Sequence, residues 1–469
     1  MISSNSPKPE VRVRTRARTH VSAPALEGMA PALRNLRMEM ISPEALKPYA
    51  RNARRHSDKQ IEQIAASIRE FGFNNPVLVD AGGTIIAGHG RVEAGKRLGL
   101  AAVPVIRVDH LSDAQKRAYI IADNRLAELA GWDRELLAIE LGELSTLDLD
   151  FDVEVTGFET GEIDVLIDGS KAQAKADPDD AVPAMPNEPA ISRPGDLWLL
   201  GRHRLLCGNS LERRSYELLM PDEKARLVFT DPPYNVPIDG HVGGLGSVHH
   251  AEFAMASGEM SEAEFTRFLQ ESLERMASVC DDGALLYCCM DWRHTFELQS
   301  AARANRLHQI NLCVWVKDNG GMGSFYRSRH ELVFVFRHGT APHRNNVELG
   351  RHGRYRTNCW EYAGANTFRN GRLEELRDHP TPKPVALIAD AIKDCSRRNE
   401  IVLDPFGGSG STIIAAERTG RVARAIELEP RYVDVSIRRW QKLTRQDAVH
   451  AESGRTFAEI TADRVEGGR

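Results

Sequence analysis

Up to about residue 35 the chain has no repeating apolar pattern, and Arg12, Arg14, Arg16 and Arg18 alternate with small or apolar residues. Such a stretch buries too little to order itself and reads as a solvated tail. From Ile41 the pattern changes. Asp58 or Ser57 can cap a helix that carries Ile61, Ile64, Ala65 and Ile68 on one face, and Gly72 ends it. Val77-Leu78-Val79-Asp80 and Thr84-Ile85-Ile86-Ala87 flank Gly82-Gly83 as a hairpin, after which Gly88-His89-Gly90-Arg91 opens another helix. Ser112 to Ala130 is helical, with Ala118, Ile121, Leu126 and Leu129 as its apolar set.

A different texture follows. From Glu135 to Asp168 there is neither lysine nor arginine while acids are frequent, and such a face repels DNA and should point away from the duplex or toward a basic partner. Lys171 to Arg193 carries prolines too closely spaced for a helix and reads as an extended linker, so a fragment from about Ser192 is expected to fold alone. Beyond it, Leu197–Leu200, Arg204–Cys207, Leu227–Phe229, Ala284–Met290, Leu312–Val316, Leu332–Phe336, Ile401–Leu403 and Val422–Leu428 are short apolar runs, separated in part by helical stretches such as Glu262–Ala277 and Ser411–Arg418. Strands alternating with helices predict a doubly wound α/β sheet.

At 469 residues the chain needs two or three domains. No run is long enough to span a membrane and no secretory core opens the chain, which leaves the cytoplasm as the default. Seven cysteines without a Cys-x-x-Cys spacing disfavour both a disulfide framework and zinc. His241, His249 and His250 lie in a glycine-rich loop between residues 240 and 257, but without supporting ligands no metal is expected. The net charge of -5 means that any nucleic-acid contact rests on a local basic surface.

Two motifs carry chemistry. Asp231-Pro232-Pro233-Tyr234 follows the run Leu227–Phe229, and two prolines without backbone donors must end that strand. At a strand's carboxyl end this loop offers a carboxylate, proline carbonyls and an aromatic ring to a planar base bearing an amine. The second motif, Asp404-Pro405-Phe406-Gly407-Gly408-Ser409-Gly410, joins a strand to a helix, and Glu427 ends the next strand roughly 20 positions on, where an acid can accept from ribose hydroxyls. A third fingerprint glycine is missing and no Gly-Lys-Ser/Thr follows, which favours an adenosine without phosphates.

Together these motifs resemble the amino-group DNA methyltransferases that use S-adenosylmethionine, over roughly Arg193 to Leu443. The catalytic motif precedes the glycines, with His379-Pro380-Thr381-Pro382-Lys383-Pro384 just upstream of the glycine strand, which is that family's β-type order. The resemblance implies a Rossmann-like sheet with Asp231, Pro232, Pro233 and Tyr234 at the reacting amine. It implies cofactor contacts from Asn209, Ser210, Thr381, Lys383, Asp404, Phe406, Gly407, Gly408, Gly410 and Glu427, and double-stranded DNA whose target base is flipped out. The target amine is expected to be N6 of adenine. Alternatives are N4 of cytosine, or an inactive methyltransferase fold on a DNA-binding protein. Between Gly320 and His379 stand ten arginines and no lysine, interleaved with aromatics. Target recognition is therefore placed at about 340–375, with Arg351, Arg354, Arg356, Arg369 and Arg372 as DNA contacts.

Residues 37 to 130 resemble the N-terminal domain of the partition protein ParB. That makes Gly88, His89, Gly90 and Arg91 a candidate nucleotide or phosphate site, against a reading in which Arg91 pairs with Glu93 or Asp123. The expected organisation is a basic tail (1–35), a smaller α+β domain (36–135), an acidic segment with its linker (136–192), the methyltransferase domain (193–445) and a polar C-terminal tail (446–469). A homodimer is the further partner this reading allows.

Overall fold

A computed structural model describes residues 37–147, 149–169, 178–180, 182, 189–235, 258–317, 326–349, 356–362 and 383–466. The chain divides after Gly131 into two compact units.

The first unit contains β1 (Met38–Ile41), α1 (Asp58–Phe71), β2 (Val77–Val79), β3 (Ile85–Ala87), α2 (His89–Arg97), β4 (Val103–Arg107) and α3 (Asp113–Glu128). Its sheet runs β1-β4-β2-β3, with β2 parallel to β4 and antiparallel to β3. Ser57 is the cap of α1, accepting from the Gln60 amide, and Gly72 ends the helix at φ 84°. The apolar set expected on α3 is misplaced. Ile120 is its buried residue, while Ile121, Leu126 and Leu129 are exposed. A helix of alternating Ala, Ile and Leu offers two rival stripes, and packing against Ile86 and Val108 selects the one through Ile120.

The second unit opens with α4 (Arg134–Leu144) and α5 (Thr160–Gly169), whose Ala138, Leu141, Ile163 and Leu166 bury a small core with Val153. The remaining elements are β5 (Leu197–Leu200), β6 (His203–Cys207), α6 (Arg213–Leu219), β7 (Ala225–Thr230), α7 (Glu262–Ser278), β8 (Cys280–Met290), α8 (Thr295–Ala304), β9 (His308–Val316), β10 (His330–Arg337), β11 (Cys359–Glu361), α9 (Val385–Cys395), β12 (Ile401–Asp404), α10 (Ser411–Thr419), β13 (Val422–Glu427), α11 (Pro430–Thr444), β14 (Val449–His450) and α12 (Phe457–Glu466). Among the described residues the sheet orders β11-β9-β10-β8-β7-β12-β13-β6-β5-β14, with β8, β7, β12, β13 and β6 parallel. Helices α9, α10 and α11 cover one face, and α6, α7 and α8 the other. This is the doubly wound α/β fold. The chain winds outward from β7 in one direction and from β12 in the other, so the crevice between their carboxyl ends is the switch point where ligands bind such sheets.

The acidic stretch from Glu135 to Asp168, read as a face that repels DNA, finds its basic partner within the same chain: Asp164 of α5, 2% exposed, meets the fully buried Arg421 at 3.0 Å and Arg398 at 3.0 Å. Asp168 pairs with Lys393 at 2.6 Å, Glu154 with Arg397 at 3.2 Å, and the Asp180 carboxylate accepts from the Val385 amide at the start of α9. Glu154, Asp164 and Asp168 are thus paired with basic groups of the sheet-covering helices and their loops, while Glu135, Glu140 and Glu143 on α4 are exposed. Residues 446–469 are no free tail through 466. β14 pairs with β5, the Phe457 ring sits 5.3 Å from that of Trp198, and Arg464 binds Asp196 at 2.7 Å. A two-residue strand carries too little pattern to be recognised before its partner is known.

Candidate active site

Parallel register delivers the ends of β6, β7, β8, β12 and β13 to one edge. The antiparallel pairs His330↔Val316 and Leu332↔Met290 bring the start of β10 and the end of β9 to the same place. Asp231 leaves β7 there. Its Oδ1 accepts from the Tyr234 hydroxyl at 2.5 Å and its Oδ2 from the Lys383 ammonium at 2.5 Å. Lys383, directly before α9, also meets Glu331 of β10 at 3.1 Å and the Tyr234 oxygen at 3.2 Å, and Lys317 binds Glu331 from the end of β9. Both ammonium groups lie against Trp315, at 4.8 and 5.9 Å from its ring centroid.

Two carboxylates and two ammonium groups balance, as buried charges must. Burial pushes the Asp231 carboxyl up against the pull of Lys383. Burial pushes Glu331 up as well, but the two ammonium groups on it prevail and hold it at about 2. Lys383 would lose its proton to burial were Asp231 and Glu331 not beside it; together they raise it. The Tyr234 hydroxyl, raised by burial and by Asp231, stays neutral and donates.

Asn235 ends this loop at φ 53°, a backbone conformation asparagine tolerates. Its amide donates to the Met260 carbonyl at 2.8 Å, and its side-chain oxygen accepts from the Gly258 and Met260 amides, tying the loop after β7 to the entry of α7.

Beside β7, the loop after β12 is held by Asp404, which accepts from the Phe406 amide at 3.1 Å and the Thr412 hydroxyl at 2.6 Å. Its carboxyl is pushed up to about 7 by burial. Gly410, at φ 82°, must lack a side chain because a Cβ there would stand 2.7 Å from the Ser436 hydroxyl. Glu427 accepts from the Gly408 amide at 2.7 Å and the Glu429 amide at 2.8 Å, and burial raises it to about 7. The neighbouring Gly208 amide donates to the Glu427 carbonyl at 2.9 Å, which brings Asn209 and Ser210 to the same corner.

Comparison with known proteins gives three family matches: DNA methylase (the N6/N4 methyltransferases) over residues 225–438, the ParB-methyltransferase HTH domain over 135–194, and the ParB N-terminal domain over 22–125. The ParB-like nuclease domain-containing protein YnaK of Escherichia coli (strain K12) is 53% identical over 74 residues, 16% of this chain and 85% of that protein. The Type II methyltransferase M2.MboI of Moraxella bovis is 22% identical over 244 residues, 50% of this chain and 87% of its own length. The crystal structure of the M1.HpyAVI-SAM complex aligns with 50% of this chain and 97% of that one, at 18% identity and a TM-score of 0.38. The chain joins a ParB N-terminal domain to a DNA methylase domain of the N6/N4 family.

That family uses S-adenosylmethionine, and this methylase's own groups suit it. Each Glu427 oxygen holds one amide and has a second lone pair for a ribose hydroxyl, and glycine keeps the adjoining loop narrow. Phe406 lies on the same loop, backed by Phe268 at 6.1 Å. Lys383, expected to touch the cofactor, is bound to Asp231 and Glu331. Arg356, expected on DNA, is held by Asp394 at 2.7 Å and Asp390 at 3.1 Å and covers the Trp360 ring, so it ties this segment to α9. Thr381, Arg351, Arg354, Arg369, Arg372 and the loop with His241, His249 and His250 lie outside the described residues.

In the ParB domain, Gly88 caps α2 at φ 100°, and Arg91 donates to the Asn75 carbonyl at 2.6 Å while the Asp123 carboxylate supports its charge against burial. The His89 Nε2 accepts from the Tyr49 amide, and burial lowers its pKa, consistent with a neutral ring. Gly90 serves packing, since a Cβ would press on Ile64 and His56. A cavity of about 340 Å³ lies elsewhere, between residues 49–54 and α3, lined by Arg51, Arg54, Arg117 and Asn124 among others.

Glu331, Lys317 and Asn235 were not foreseen. The first two stand at strand ends in the sequence, and only the antiparallel register of β9 and β10 shows that those ends meet Asp231.

Proposed function

We propose that this methylase acts on the N6 amine of adenine in double-stranded DNA, with the target base flipped into the crevice beyond β7. The observation that carries this reading is Asp231, a carboxylate fixed at the switch point by Tyr234 and Lys383. An exocyclic amine is a poor nucleophile because its lone pair is delocalised into the ring. Asp231 and the Pro232 carbonyl can accept its two hydrogens, favour a tetrahedral nitrogen and aim its lone pair. S-adenosylmethionine, when bound, supplies the electrophilic sulfonium methyl. Glu427, Asn209 and the backbone of Gly407 to Gly410 would hold it, and Asp231 offsets the positive charge that develops on nitrogen. Tyr234 presents its ring to the base. Asp rather than Ser at the first motif position favours adenine over N4 of cytosine.

The N-terminal ParB unit contributes no catalytic group in this reading, because every residue named above lies in the second unit. The test is incubation of the full chain with duplex DNA and methyl-labelled cofactor, followed by digestion to nucleosides and mass spectrometry. N6-methyladenine is expected. N4-methylcytosine would move the assignment to cytosine, and no labelled base would leave the inactive-fold alternative.

A further inference from the structure

Asp231 meets no lone cation but one half of a doubly bound lysine. Lys383 is 6% exposed and bridges Asp231 at 2.5 Å and Glu331 at 3.1 Å. Its backbone is anchored as well. Pro384 follows it, and the next residue, Val385, gives its amide to Asp180 at 2.8 Å, fixing the start of α9 from which Lys383 projects. Glu331 is in turn held by Lys317.

We propose that Lys383 is a positioning residue for methyl transfer, clamping the Asp231 carboxylate, with Glu331 and Lys317 behind it, in the place and charge state in which it meets the target amine. The inference rests on the reading above, in which Asp231 faces that amine. With Tyr234 on Oδ1 and Lys383 on Oδ2, one lone pair of each oxygen is taken and the other remains for the amine hydrogen. Lys383 is not the base, because an ammonium has no lone pair to offer. In the step it supports, the amine nitrogen forms a bond to the methyl carbon while the carbon–sulfur bond breaks onto sulfur. The nitrogen then gives one proton to Asp231 and through it to water.

The titratable groups that face Asp231 are Tyr234 on its own loop, Cys289 of β8, Lys383, Glu331 of β10, and Asp404 of β12; Lys317 acts through Glu331. Among the described residues in direct contact, Lys383 is the one cation. Without it, a buried carboxyl beside Glu331 favours its protonated form, which cannot accept from the amine.

The test is single-turnover methyl transfer by the full chain at saturating duplex DNA and cofactor, from pH 6 to 9, for wild type, Lys383→Met and Lys383→Arg. Wild type should be flat across this range. Lys383→Met should fall about 10²-fold at neutral pH and acquire an acid limb along which the rate climbs about tenfold per pH unit. Lys383→Arg should restore the flat profile, and the cofactor Kd should stay within about threefold of wild type in both variants. Should Lys383→Met not fold, Lys383→Gln, of similar length and uncharged, must show the same acid limb. A flat profile for the folded neutral variant, or a loss seen equally in cofactor binding, would overturn the inference. Wild type that methylates no base would instead defeat the reading of the site, so the two failures are separable.

Discussion

Replacing Asp164 with alanine removes the carboxylate that bridges Arg398 and Arg421 in the methylase. Arg421 is fully buried and Arg398 partly so, and Asp164 binds the first through both oxygens, at 3.0 and 3.4 Å, and the second at 3.0 Å. Arg421 would keep the Thr419 and Ser396 carbonyls and the Ser396 hydroxyl, but no counter-charge. Breaking a buried pair by deleting one partner costs about 3–5 kcal/mol. Asp164→Asn, which keeps an acceptor but no charge, should cost about 1.5–3 kcal/mol. The assay is urea unfolding of the full chain followed by tryptophan fluorescence, since Trp198, Trp315 and Trp440 are buried in the second unit. A loss below about 1 kcal/mol for the alanine variant, within the range of ordinary substitutions, would refute the reasoning. The same argument predicts that a fragment from Ser192 precipitates or unfolds easily, whereas one from Trp132, which retains Glu154, Asp164, Asp168 and Asp180, is soluble and cooperative.

Asp231→Ala should abolish methyl transfer while leaving the cofactor Kd, measured by calorimetry, within about threefold, because the carboxylate meets Tyr234 and Lys383 rather than the glycine loop. Glu427→Ala should weaken S-adenosylmethionine and S-adenosylhomocysteine alike by about tenfold to a hundredfold. In wild type, cofactor affinity should rise as pH increases through about 7 and then level off, since Glu427 is raised to about 7 by burial and ribose hydroxyls favour its charged form. The sign for folding without cofactor is opposite: a carboxyl held above its usual 4.5 in the fold favours folding at low pH, and that contribution is lost as pH rises through about 7. Arg356→Met should lower thermal stability and leave the salt dependence of DNA binding unchanged, because its guanidinium is bound to Asp390 and Asp394; a reduced salt slope would return it to the DNA surface.

The sequence by itself determined the strand–loop units, because each is written in contiguous residues. Two prolines after Leu227–Phe229 must end a strand, glycines after Ile401–Leu403 must turn tightly into a helix, and an acid some 20 positions later falls at the next strand's end. The doubly wound class and the places of Asp231 and Glu427 at strand ends followed from such local rules, as did the Ser57 cap and the Gly82-Gly83 hairpin. What only the tertiary structure decided depends on partners far apart in the chain. Charge counts made Glu135 to Asp168 look like a repelling face, because composition does not reveal that Arg398 and Arg421 stand 234 and 257 residues from Asp164 in sequence yet within hydrogen-bonding distance of it. That Arg356 pairs with Asp390 and Asp394 could not be read from the sequence, because both acids come round on α9 from more than 30 residues away. Glu331 and Lys317 had no motif to announce them. Strand pairing moves a side chain from one edge or face of a sheet to another with a shift of a single residue, so long-range register, which no local pattern encodes, placed both beside Lys383 and Asp231.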